Sequence, residues 1–162
     1  MTAKRSASGA AALVAAALLV SGCQNVFGGK PPQTASLAPA VDPAQQEIEE
    51  RKNEIIRQLS LCESGGWGPS ERRIYGGRGA YHGRLQFSVR TVMSYQLKRD
   101  GTQLSPKEAS ELAHDYDRAA DLAKFMIFDL EEPWHWPLCA RKMSLRSQVA
   151  SVKQMSNQAL AY

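Results

Sequence analysis

The acid of this chain best placed to do chemistry is Glu63, set between Cys62 and the run Ser64-Gly65-Gly66. The charged stretch before it reads as a helix and the glycines as its stop, so the carboxyl projects from a rigid element toward whatever the next loop borders. Partial burial at such a place raises a carboxyl toward the ~6 that suits a general acid. A lone glutamate near a helix end is more often a surface residue, so its meaning depends on its neighbours. The loop that follows carries one further carboxylate, Glu71. His82, His114 and His135 stand apart from one another and from the cysteines, without zinc-ligand spacing, so no metal is expected. Nothing in the chain calls for a cofactor.

The N-terminus bounds where that chemistry takes place. Lys4 and Arg5 precede an apolar run from Ala10 to Val20, too short to span a bilayer but suited to a signal peptide. Val20-Ser21-Gly22-Cys23 then resembles the lipobox of bacterial lipoproteins, in which the cysteine is acylated and the preceding peptide removed. Residues 1–23 are thus expected to form a lipoprotein signal ending at Cys23, the peptide before Cys23 being removed and Cys23 kept as the lipidation site, with the membrane reached through its acyl chains. Gln24 behind it is similar to the second residue of lipoproteins passed on to an outer membrane, which in a diderm source means its periplasmic side. Outside the cytoplasm a disulfide persists, and the two remaining cysteines, Cys62 and Cys139, are expected to pair rather than stay as buried thiols. The formal charge of +4 falls to about +2 without Lys4 and Arg5, too little to argue for nucleic acid.

About 140 mature residues suffice for one domain with one core, read here as a monomer. Residues 24–43, rich in Gly, Pro, Ala, Ser and Gln, bury nothing and read as a flexible tether. From Ala44 to Leu61 the apolar residues Ile48, Ile55, Ile56 and Leu59 fall at helical spacing and predict a first amphipathic helix. Trp67 to Gly83 predicts an ordered loop with a short hairpin around Tyr75 to Gly79. Ser88 caps a second helix that runs to Asp100-Gly101. Ser105-Pro106-Lys107-Glu108 is a capping box that opens a short helix to about His114. Asp117 is expected to cap the next, whose apolar face runs through Ala123, Met126 and Leu130 and ends before Pro133. The aromatic cluster Trp134, His135 and Trp136 reads as core beside the disulfide, in preference to an interaction patch. Residues 140–162, Ser- and Gln-rich, are set apart as a tail of unknown role, a loosely held helix or disordered. The fold class is mainly α, in a domain from 44 to 139.

Taken together, Cys62-Glu63-Ser64-Gly65-Gly66, then Gly83-Arg84-Leu85-Gln86-Phe87-Ser88 with Thr91, then Trp136-Pro137-Leu138-Cys139, resemble in the same order three signatures of the resuscitation-promoting factor domain. That domain is a small relative of lysozymes and soluble lytic transglycosylases. Arg84 stands where the family has a second glycine. The resemblance implies a small lysozyme-like fold and makes Glu63 the general acid, with Cys62 bonded to Cys139. It further implies, as substrate, the glycan strands of peptidoglycan, cut between N-acetylmuramic acid and N-acetylglucosamine. Gln86 would bond sugar hydroxyl or acetamido groups, or serve only to start a helix. Tyr81, Tyr75 and Trp67 would stack on sugar rings, or pack their loop. Thr91 would line the groove, or serve as a structural hydroxyl. A hydrolase needs a second carboxylate for water, whereas a lytic transglycosylase works with one. The transglycosylase route is therefore preferred, and the competing reading is a lysozyme-like module that binds glycan or an envelope partner without cutting.

Overall fold

The structure, a computed structural model, describes residues 42–161. The expected signal peptide, Cys23 and most of the expected tether lie outside the described residues. Six helices and one two-stranded hairpin follow in chain order. They are α1 (Pro43–Ser64), β1 (Tyr75–Gly76), β2 (Tyr81–His82), α2 (Val89–Asp100), α3 (Pro106–His114), α4 (Tyr116–Lys124), α5 (Pro137–Lys142) and α6 (Leu145–Ala159). Among these helices none is long and apolar enough to cross a membrane.

Local chemistry accounts for most of the boundaries. Asp42 accepts from the amide of Ala44 at 3.0 Å and Pro43 occupies the first turn, which starts α1. Gly65, at φ +73°, ends it, its N–H returning to the carbonyl of Leu61 at 2.9 Å. Ser88 caps α2 and Gly101 closes it in the left-handed conformation. The capping box of α3 is complete: Glu108 N–H donates to Ser105 Oγ, and Ser105 N–H donates to the Glu108 carboxylate at 2.8 Å.

The start of α4 corrects the sequence reading. Asp115, not Asp117, is the cap, accepting from Arg118 N–H, and it is also the residue on which α3 ends. The two helices meet with no linker, and Asp117 is left as an acid in the first turn of α4, where it favours the helix dipole. Beyond Lys124 the chain widens into a π-helical turn, Phe125–Asp129, which keeps Met126 and Ile127 in the core.

α1 crosses the domain and packs on α6 and α4, while α2 lies mainly against α3. Ile55, Ile56 and Leu59 of α1 meet Leu112, Leu122, Met126, Ile127 and Leu145 in one buried cluster. The segment from Ala140 onward, set apart above as a tail, therefore belongs to the domain: Leu145, Val149 and Val152 are buried at spacings of four and three along α6. The aromatic cluster before the disulfide divides. Trp136 is buried, but Trp134 keeps 53% of its surface exposed.

Candidate active site

Glu63 lies in the last turn of α1, half-buried. The turn behind it is fixed by two serines. Ser60, fully buried, donates from Oγ to the carbonyl of Gly66 at 2.7 Å, and Ser64 Oγ donates back to the carbonyl of Ser60 at 3.1 Å. Burial pushes the Glu63 carboxyl above its ordinary 4.5, and the ammonium of Lys142 opposes that rise. Lys142 arrives from α5, one helical turn after Cys139, whose bond to Cys62 brings the two Cα atoms to 5.8 Å. The expected disulfide is thus present, and it docks α5 beside the acid.

The three motifs close on one another. Cys62–Cys139 joins the first to the last. The indole N–H of Trp136 donates to the carbonyl of Leu85 at 2.8 Å, and Phe87 meets Trp136 edge to face at 5.3 Å, which joins the last to the second. The guanidinium of Arg84 lies on Gly66, so close that a Cβ there would fall 2.3 Å from Arg84 Nη1, which joins the second to the first. Arg84 Nε is buried with no partner among the described residues. A glycine at 84 would leave that space empty, so the departure at this position fills the gap against the Gly65-Gly66 turn.

The hairpin pairs Tyr75 with His82 and Gly76 with Tyr81. His82 and Phe87 then exchange backbone bonds of 2.8 and 3.0 Å around a turn that begins at Gly83. Gln86 takes φ +50° in that turn, and its side-chain amide donates to the carbonyl of Gly83 at 2.7 Å. Its Oε1 lies across Gly76, 1.7 Å from where a Cβ would stand. Only glycine at 76 admits this pose. The second hydrogen of the Gln86 amide remains for another acceptor.

The other expected binding residues are distributed unevenly. Tyr75 is half-exposed and packs edge to face on His82 and His114, at 5.1 and 4.8 Å, while Tyr81 folds its ring against Gly77. Tyr75 and Tyr81 therefore share one hairpin, and Gln86 reaches back onto it from the turn that follows. Trp67, also exposed, lies with Arg57 over its ring at 5.1 Å and lines a cleft of about 480 Å³ between α1 and α4. Thr91 is bonded to Ser88 Oγ at 2.7 Å within the cap of α2, the structural role that the sequence left open. Glu71 is exposed in the loop. Neither of the two clefts of about 480 Å³ has Glu63 among its lining residues.

Two clusters escaped the sequence reading. His82 Nδ1 meets Ser110 Oγ at 2.8 Å beside His114, whose Nε2 is buried without a partner among the described residues. Burial and the nearby Arg73 and His82 hold His114 below the usual histidine range. Tyr95 bridges Glu132 and His135. Neither cluster was legible, because each assembles from separate elements. Lys142 was legible in principle, three residues beyond Cys139 on a short helix.

No family model, curated protein or solved structure matches this chain. The chemistry of the site is left to its geometry. Among the described residues no group of three or more His, Cys, Asp and Glu could hold a metal. What remains is one carboxyl of raised proton affinity beside one cation, bordered by a rigidly turned loop. Such a pair can donate a proton and then accommodate the resulting carboxylate.

Proposed function

We propose that this domain cleaves the glycan strand of peptidoglycan as a lytic transglycosylase, with Glu63 as its only general acid and base. The observation that carries this reading is the mutual contact of the three motifs around the end of α1. Residues far apart in sequence, singled out for one chemistry, border the one carboxyl whose burial favours its protonated form. In the first step the Glu63 proton passes to the glycosidic oxygen as the bond to muramic C1 breaks and positive charge spreads over the ring. The Glu63 carboxylate then takes the proton of the muramic 6-hydroxyl while that oxygen bonds to C1, which yields a 1,6-anhydro end and restores the acid. Burial favours the first half of this cycle and Lys142 the second, so the two opposing influences on Glu63 suit a group that must serve as both acid and base.

In this reading Tyr75 and Tyr81 contact sugar from the hairpin and Gln86 from the turn behind it. Cys23 carries the acyl anchor and the domain works at the cell envelope, on the periplasmic side of the outer membrane in a diderm source. The disulfide is consistent with a place outside the cytoplasm. A second reading, a module that binds glycan or an envelope partner without cutting, is favoured by one observation: both large clefts lie away from Glu63. Digestion of purified peptidoglycan by the chain and by Glu63→Gln, with mass spectrometry of released sugars, separates them. Anhydromuropeptides from the wild type alone support the transglycosylase. Reducing ends convert the reading to a hydrolase, and no release by the folded, disulfide-bonded chain favours the module.

A further inference from the structure

Lys142 of α5 acts on Glu63 through its charge, yet the helix's residues Pro137, Ala140 and Arg141 line a separate cleft of about 480 Å³ that the chemistry above does not use. Pro133, Trp134 and Arg146 complete the part of this cleft that matters for recognition. Trp134 is 53% exposed, although an indole of that size is ordinarily covered. It is also held in place. Its ring stacks on His135 at 6.1 Å, and His135 Nε2 is fixed by the hydroxyl of Tyr95 at 2.6 Å. An exposed aromatic face ordered before any ligand arrives is what a recognition site requires, because little freedom is left to lose on binding.

The charge of the cleft indicates what that ligand is. Arg141 and Arg146 are exposed and belong to no ion pair among the described residues, and no carboxylate lines the cleft. Glu131, which lines an adjoining cleft with Trp134 and Arg146, is engaged by Lys153. α6 also begins at this edge, with no side-chain cap and no acid in its first turn, so its leading amides add to the positive potential. Two guanidinium groups, an apolar floor and a fixed indole match a short strand that carries carboxylates on aliphatic residues. The volume suits one ligand of a few residues, within the range of ligand pockets generally.

We propose that this cleft binds the carboxylate-bearing peptide stems of peptidoglycan, an inference that rests on the peptidoglycan reading of Glu63. Arg141 and Arg146 take the carboxylates, and Trp134 covers the aliphatic side chains. One short helix then serves both sites: its lysine lends charge to the acid and its arginine takes the peptide that hangs from the muramic residue.

The test is calorimetric titration of the full-length, unacylated chain with free stem peptide released from purified peptidoglycan by amide hydrolysis. Wild type and Glu63→Gln are expected to bind alike, and the paired change Arg141→Gln, Arg146→Gln to weaken binding by about tenfold or more. Trp134→Ala is expected to weaken it as well, and stem peptide whose carboxylates have been amidated is expected not to bind. Both arginines are exposed, so unchanged melting temperatures identify the losses as losses of contact. Equal binding by the arginine variant overturns the proposal. So does an absence of stem binding, or binding of phosphatidylglycerol vesicles through Trp134 in place of the stem. Sugar release from peptide-free glycan strands without stem binding sinks the cleft and leaves the Glu63 reading standing. Arginine-dependent stem binding without sugar release from any substrate does the reverse.

Discussion

Opening the Cys62–Cys139 crosslink by reduction is expected to lower the melting temperature by about 18 °C, and the paired change Cys62→Ala, Cys139→Ala to lower it further. The bond joins residues 77 apart in sequence. In the chain-entropy description, closing a loop of that size withdraws about 15 cal/mol/K from the unfolded chain, or about 4.5 kcal/mol at 25 °C. For the about 120 residues from Asp42 to Ala161, unfolding entropy is about 0.25 kcal/mol/K, and the ratio gives the shift. Cys139 is 4% exposed, so the alanine pair also loses packing. Thermal unfolding followed by circular dichroism should therefore compare three forms: oxidised wild type, wild type with the bond reduced, and the double variant. Reduction isolates the loop term and the variant adds the packing term. A shift below about 5 °C on verified reduction would refute the reasoning, since it would mean that the unfolded chain gains little freedom when the bond opens.

Glu63→Gln is expected to raise the melting temperature at neutral pH, because burial disfavours the charge that the wild type carries there. The folded carboxyl titrates above its ordinary 4.5, so the wild type regains its deficit as pH falls and matches the variant below that value. Melting curves across that range check this, and a gap that ignores pH would sink it. Gly83→Ala and Gly76→Ala should behave differently in chemical denaturation. At Gly83, φ is +73° and a Cβ would fall 1.7 Å from the backbone oxygen of Ala113, so a loss above about 3 kcal/mol is expected. At Gly76 the obstacle is the mobile end of Gln86, so the stability loss should be nearer about 1–2 kcal/mol while sugar release falls further. Tyr95, pushed up to about 12 by burial and by its bond to Glu132, makes the fold sensitive to alkali. The unfolded phenol ionises near 10, so stability present below that pH is lost as pH rises toward 12, and Tyr95→Phe should remove that slope from alkaline melting curves.

Where a boundary rests on one local interaction, it was legible. The stops at Gly65 and Gly101, the cap at Ser88 and the capping box at Ser105 and Glu108 each depend on neighbours within a few residues. Asp115 and Asp117 are equally good caps by composition, and only the packing of α3 against α4 chooses between them. Leu145, Val149 and Val152 did carry a helical spacing, but the serines and glutamines among them suggested a loose segment. Their burial is decided by the face of α1 that receives them. At the site, the disulfide was legible because Cys62 and Cys139 are the two cysteines left once Cys23 is set aside. The division of Trp134 from Trp136 was not, since the bond to Leu85 that draws one indole inward crosses 51 positions.

The packing of α1 on α6 has a consequence for the order in which the domain comes into being. A chain threaded out N-terminus first presents α1, with its stripe of isoleucines, before the helix that covers them has appeared. The contacts around Glu63 are likewise incomplete until Trp136 and Cys139 have emerged and the thiols have been oxidised. The setting of Glu63 thus forms last, once the C-terminal helices are present and the disulfide has closed. A truncated or reduced chain carries Glu63 without that setting, so whatever the carboxyl does waits until the whole domain has folded and its bond has closed.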